Sequence, residues 1–223
     1  MAQTLKQRVY QELKQKIISC EYPPGEILSE ERICEAVGAS RTPVREVLGR
    51  LEQEQLVTIH AKKGIKVNRV SLRNVNELFE SRLRIEPYAV LKYGNRIRPD
   101  DYAQAIAYFR ETDVPSQEMY ERDDDFHYMF VAATENRYLL NFYSIVRDQV
   151  MRYRVLSDID NRTSQSRMEH VEVATYCIRG NWEKAADAMR VHIENSKESI
   201  INYVLSQKLD THNIFDSQTD EAK

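Results

Sequence analysis

The run Ser40-Arg41-Thr42-Pro43-Val44-Arg45-Glu46-Val47-Leu48 decides how the front of this chain is read. Pro43 suits the first turn of a helix, where a missing N–H costs nothing, so a helix is expected to start between Ser40 and Thr42. From there Val44, Val47, Leu48 and Leu51 recur at helical spacing as one apolar stripe, while Arg41 and Arg45, four residues apart, share the opposite face. A guanidinium is a planar fork that can grip a phosphate, or bond the O6 and N7 edge of guanine in two places. Ser40 and Thr42 add hydroxyls at the helix N-terminus, where free N–H groups also favour phosphate. Gly49 keeps the next turn of that face small. The competing reading is a solvated face on which Arg41 and Arg45 pair with Glu46 and Glu52, and two arginines alone would favour it.

Further elements flank this helix. Upstream, Leu5, Val9, Leu13 and Ile17 mark an amphipathic helix over 4–19, stopped by Tyr22-Pro23-Pro24-Gly25. A second, short helix begins at Ser29, whose hydroxyl can cap free N–H groups, and ends near Gly38. Downstream, Leu56-Val57-Thr58-Ile59 and Ile65-Lys66-Val67 flank Ala61-Lys62-Lys63-Gly64, a β-hairpin with a basic tip. Three helices and a hairpin make a winged helix-turn-helix over residues 1–70, in which Lys62 and Lys63 extend the footprint to a neighbouring phosphate or the minor groove. Charge agrees. Residues 1–70 hold 12 basic against 9 acidic side chains and residues 71–223 hold 20 against 26, so only the front suits a polyanion.

Beyond residue 71 the periodicity is helical throughout: 72–93, 99–112, 116–134, 137–156, 163–179 and 182–206, broken near Pro99, Pro115, Asn136, Asp158 and Gly180. The expectation is a mainly α protein whose second domain, residues 71–207, is an all-helical bundle, followed by a frayed polar tail over 208–223. The longest apolar runs, such as Phe130-Val131-Ala132-Ala133, fall far short of the roughly 20 residues that span a bilayer. The first 20 residues lack the continuous apolar centre of a secretory leader, so a cytoplasmic location with no membrane partner is expected. Cys20, Cys34 and Cys177 are scattered and odd in number, which suits reduced packing thiols.

The bundle carries His127, His170 and His192, with the acidic run Asp123-Asp124-Asp125 just ahead of the first. Asp123 and His127 stand at i and i+4 and can converge on one ion. If the chain turns at Gly180-Asn181, His170 lies ten residues before the turn and His192 twelve after it. At about 1.5 Å per residue those offsets differ by less than one turn. His192 also lies on the Ala185-Met189-His192-Ser196 stripe, the inward face by spacing. Hydrogen-bonded core histidines remain the alternative, and on spacing alone the two readings are level. A metal-dependent hydrolase is a further alternative, but it requires a positioned base, and the one candidate, Glu169, lies a residue off the face of His170.

Pro23-Gly25-Glu26-Leu28-Ser29-Glu30, Val37-Gly38 and Ser40-Arg41-Thr42-Pro43-Val44-Arg45-Glu46 together resemble the GntR family of regulators over residues 4–70. That resemblance implies operator reading by Arg41, Thr42 and Arg45. Two positions depart from the family: Gln55 stands where glycine is usual after the recognition helix, which predicts strain at its end, and Glu31 occupies a place that in some members holds a DNA-contacting arginine. Asp123, Phe126-His127, Asn136, Glu169-His170, Gly180-Asn181 and Ala185 to His192 are similar to the FCD ligand-binding domain of the FadR branch, over about 72–207. The similarity implies a divalent ion (zinc, nickel or manganese) on Asp123, His127, His170 and His192, with open positions for a small carboxylic acid. It also implies a homodimer on a double-stranded operator, acting as a repressor and not an enzyme. Arg82, four residues before Glu86, is the candidate partner of the effector carboxylate; an intrahelical pair with Glu86 is an equal reading. Arg147, Arg152 and Arg154 are weaker candidates.

Overall fold

The computed structural model describes residues 4–111, 115–157 and 163–210. Two compact units emerge, one of Met1–Val70 with Arg147–Leu156, the other of Ser71–Val146 with Ser157–Lys223.

In the first unit, helix α1 (Leu5–Ile18) opens on a reciprocal cap between Thr4 and Gln7. Strand β1 (Ile27–Leu28) and helix α2 (Glu30–Val37) follow, the helix capped by the Ser29 hydroxyl and stopped by Gly38 at φ +58°. Helix α3 (Arg41–Gln53) then leads into β2 (Val57–His60) and β3 (Gly64–Val67), paired antiparallel from Val57 opposite Val67 to His60 opposite Gly64. The expected hairpin is therefore present. Strand β1 was not anticipated: Ile27 faces Lys66 and Leu28 faces Ile65, giving a sheet of order β1-β3-β2. Two residues next to a Pro-Pro-Gly turn are too few to show an alternating pattern, so their pairing is visible only in three dimensions. Val9, Leu13, Ile17, Leu28, Ile33, Val44, Val47, Leu48, Leu51, Leu56, Ile65 and Val67 close one core, including every residue of the stripe read on α3.

The remaining helices are α4 (Leu72–Tyr93), α5 (Pro99–Arg110), α6 (Ser116–Ala132), α7 (Arg137–Ser157), α8 (Thr163–Ile178) and α9 (Trp182–Asp210), with a 3-10 turn at Gly94–Arg96. Five of the six match their expected bounds within two residues, and α9 runs four residues past the expected end at 206. The tail beyond Asp210 lies outside the described residues. Asn136 caps α7 by accepting from the N–H groups of Tyr138 and Leu139, and Asn181 caps α9 by accepting from Lys184 N–H. In the second unit α4 packs on α9 and α6, and α8 packs on α5 and α9. Phe79, Val90, Tyr102, Phe109, Phe126, Phe130, Val173, Met189 and Ile193 are buried between them. No described helix is long and apolar enough to cross a membrane. All three cysteines are free thiols, with Cys177 buried.

Residues Arg147–Leu156 of α7 group with Met1–Val70 in the first unit. Gln149 Nε2 donates to the carbonyls of Glu54 (3.2 Å) and Gln55 (3.4 Å), and Arg152 donates to Asn68 O. Lys14 pairs with Asp148 and, at 3.2 Å, with Glu54. Arg152 is thus buried against backbone of the first unit, which removes it from the set of effector candidates.

Candidate functional site

On α3 the arginine face and the apolar stripe separate as the spacing requires. Arg41, Thr42 and Arg45 are exposed, and Ser40, at the N-cap, makes no side-chain bond to the helix, so its hydroxyl does not occupy the terminal N–H groups. Glu46 pairs with Lys6 at 2.8 Å and Glu52 accepts the Ile59 N–H at 2.7 Å, so the two acidic residues considered as arginine partners are engaged elsewhere. Arg45 instead reaches α2, where its Nε donates to Glu30 at 3.0 Å while the side chain stays 67% exposed. An ion pair that open to water is weak and exchangeable. Lys62 and Lys63 are exposed at the β2–β3 tip, where Lys63 N–H closes the turn on His60 O at 3.2 Å. Glu31 is exposed on α2. Gln55 occupies φ +59°, so the departure noted in the sequence does place a side-chain-bearing residue in the left-handed region.

In the second unit three helices bring the histidines together. Asp123 and His127 project from α6, His170 from α8 and His192 from α9, and one ligating atom of each lies within 4.8 Å of all the others. His127 Nε2 is 3.1 Å from both His170 Nε2 and His192 Nε2; Asp123 Oδ2 is 3.6 Å from His127 Nε2, and Asp123 Oδ1 is 3.5 Å from His170 Nε2. All four are buried. Phe109 stacks on the His170 ring at 4.5 Å between centroids, and Phe126 meets it edge-on at 5.0 Å, which fixes its plane.

Two further carboxylates, unassigned by sequence reasoning, complete the arrangement. Glu86 Oε2 lies 2.7 Å from His127 Nδ1, and Glu169 Oε2 lies 2.8 Å from His192 Nδ1. Burial alone would raise the Glu86 pKa, but the Arg82 charge, followed by His127, holds it well below the usual carboxylate range. An ionised carboxylate only accepts, so His127 must donate to Glu86 from Nδ1, which turns its Nε2 to the cluster. The Nε2 atoms of His127 and His192 then face each other at 3.1 Å inside a buried site. Burial also pushes the His192 pKa down to about 4, which favours the neutral ring.

Arg82 satisfies one reading without excluding the other. Its Nε donates to Glu86 Oε1 at 2.6 Å and its Nη2 to Glu86 Oε2 at 3.3 Å, while Tyr143 OH donates to Glu86 Oε1 at 2.7 Å. The Arg82 Nη1 is buried with no hydrogen-bond partner among the described residues. Glu169, by contrast, is committed: its other oxygen accepts from Asn195 Nδ2 at 2.7 Å. The signal for both carboxylates was present as Arg82-x-x-x-Glu86 and Glu169-His170, but it offered Glu86 only as an intrahelical partner of Arg82 and Glu169 only as a candidate base off the face of His170. Glu169 serves His192 on the facing helix, and Glu86 serves His127 as well as Arg82.

Comparison with known proteins agrees with both halves. The family described as bacterial regulatory proteins, gntR family, matches residues 5–67, and the FCD domain family matches residues 77–195. The HTH-type transcriptional repressor RspR of Escherichia coli (strain K12) is 24% identical over 207 residues, 89% of this chain and 90% of that protein. A GntR transcriptional regulator from Rhodococcus sp. RHA1 superposes with a TM-score of 0.74 at 22% identity, over 88% of this chain and 97% of that one. The Zn2+-bound FCD domain of TM0439 superposes with a TM-score of 0.53 at 17% identity, over 62% of this chain and 99% of that one. At such identities the two superpositions speak to fold alone. With its winged helix and its helical bundle each matched by a family, the chain belongs to the GntR family of bacterial regulatory proteins, in the group carrying an FCD domain, and is a DNA-binding transcriptional regulator.

Proposed function

We propose that this regulator is a homodimeric repressor of the FadR branch, released from its operator by a small carboxylic acid that binds at a divalent metal site in the helical bundle. Residues 1–70 form the operator-binding domain and residues 71–207 the sensing and dimerisation domain. Arg41, Thr42 and Arg45, with Ser40 at the helix N-terminus, enter the major groove of double-stranded DNA, and Lys62 and Lys63 hold the flanking backbone. Arg45 exchanges Glu30 for the nucleic acid. The name of RspR, a repressor, supports that sign of regulation.

The observation that carries the sensing half is the convergence of the buried Nε2 atoms of His127 and His192, with His170 Nε2 and Asp123 closing the set. Nitrogens bound at about 2.0–2.1 Å to one ion stand about 2.9–3.4 Å apart for angles between right and tetrahedral. The separations of 3.1 Å fall inside that range. Three imidazoles and one carboxylate form a donor set acceptable to zinc, nickel or manganese, and the zinc of the TM0439 domain lends support to the first. Bound there, the ion supplies a Lewis-acidic pole whose remaining coordination positions accept a carboxylate oxygen. Arg82 offers Nη1 to the other end of the same anion. Glu169, the one candidate for a general base, is held by His192 and Asn195, which favours binding over hydrolysis.

Elemental analysis of the purified protein, followed by operator titrations against a panel of small carboxylic acids, tests this function. One equivalent of zinc, nickel or manganese per chain is expected, with at least one acid weakening operator binding. Replacing His127 and His192 together by alanine should strip the metal and blunt that response. Stoichiometric metal retained by the double variant would refute the site. A metal-free wild type unresponsive to every acid would leave a helical domain that serves dimerisation alone.

A further inference from the structure

Resting on the metal reading just given, we propose that Glu86 and Glu169 are the positioning residues of the metal centre, setting its affinity by fixing which nitrogen of His127 and of His192 faces the ion. A neutral imidazole has one donor and one acceptor nitrogen, and rotates freely between them unless something holds the donor. Here something does. His127 Nδ1–H is held by Glu86 at 2.7 Å and His192 Nδ1–H by Glu169 at 2.8 Å, from different helices, α4 and α8. Each carboxylate is anchored in turn. Asn195 Nδ2 fixes the second oxygen of Glu169, and Arg82 with Tyr143 fixes Glu86. An imidazole hydrogen-bonded to a carboxylate is also a more basic ligand, so charge on these two residues reaches the ion through the rings.

The two positions differ in one respect. Glu169 joins His192 to Asn195, whereas Glu86 joins His127 to Arg82 and Tyr143, so Glu86 is the one of the pair through which an anion held by Arg82 alters the ligand strength of His127.

Zn2+ affinity is measured on the full-length, metal-stripped protein by competition with a chromophoric chelator, and the visible spectrum of the Co2+ form is recorded. Glu169→Gln retains an acceptor but not the charge, and is expected to weaken Zn2+ binding roughly 10- to 100-fold while keeping one ion per chain and shifting the Co2+ bands. The melting midpoint of the metal-stripped variant should stay near that of the wild type, since Gln keeps the size of the Glu169 side chain, which is 13% exposed, and an oxygen to accept from His192. Asn195→Ala, which removes one anchor of Glu169 and replaces no ligand, should give a smaller loss in the same direction and keeps the test open should the first variant fold poorly. Wild-type affinity and an unchanged Co2+ spectrum in both variants overturn this inference alone. A wild-type protein that takes up no stoichiometric Zn2+ overturns the metal reading together with it.

Discussion

Gln55 shows how a single position can record a compromise. The helix α3 ends at Glu54, and the next residue must take φ +59°, a region that costs a residue with a Cβ about 1 kcal/mol or more. Asn68 Nδ2 donates to its carbonyl at 2.9 Å and Gln149 Nε2 at 3.4 Å, so the strained conformation is held from two sides. The Gln55 side chain itself is exposed. Gln55→Gly is therefore expected to stabilise the protein by about 1 kcal/mol, the relief of strain outweighing the added freedom of the unfolded chain. Urea unfolding of the two proteins measures this directly. A loss of stability would mean that the exposed side chain contributes something its surroundings do not show.

At the scale of elements, the wing depends on a glycine for the opposite reason. Gly64 opens β3 at φ +101°, and a Cβ there would sit 2.6 Å from the backbone oxygen of Leu28 in β1. Backbone cannot step aside as a flexible side chain can, so either the β1–β3 pairing or the hairpin turn must shift. Gly64→Ala is expected to cost roughly 1–3 kcal/mol and to speed amide exchange at Val67, whose N–H donates to Glu26 O at 2.8 Å. Unchanged exchange at that amide would show that the three-stranded sheet tolerates the displacement. In the bundle, the corresponding dependence is on caps: Asn181 starts α9 just after Gly180, and that start sets the level at which His192 meets His170.

For the whole molecule, the separation of charge decides how it meets a polyanion. The basic excess lies within residues 1–70, and a net charge of −3 over the chain leaves non-specific attraction weak, so binding must lean on a few local contacts. Operator affinity should fall steeply with salt, because each phosphate neutralised releases counterions. Arg45→Ala is expected to abolish high-affinity operator binding and, where residual binding is measurable, to lower the slope of log affinity against log salt by about 0.9 for each recognition helix engaged. Its unfolding curve should match the wild type, since the Arg45–Glu30 pair is exposed and weak. Wild-type affinity and slope would remove Arg45 from the contact surface.

Local pattern was enough for the long helices, the hairpin and the faces of α3, because helix caps, apolar periodicity and the Pro43 position act within a few residues of each other. Spacing left Asp123, His127, His170 and His192 level between a metal site and hydrogen-bonded core histidines, and it was the resemblance to the FCD domain that singled them out as one set. What local pattern left undecided was every interaction whose partner is distant in the chain. Strand β1 finds β3 nearly forty residues away, Arg45 takes Glu30 instead of Glu46 or Glu52, Glu169 turns to His192 and not to the metal face of its neighbour, and Glu86 bonds His127 across 41 positions. Such choices are made by helix packing, which sets distances between side chains that sequence separation does not encode, and in a buried site only those distances determine which nitrogen keeps its lone pair.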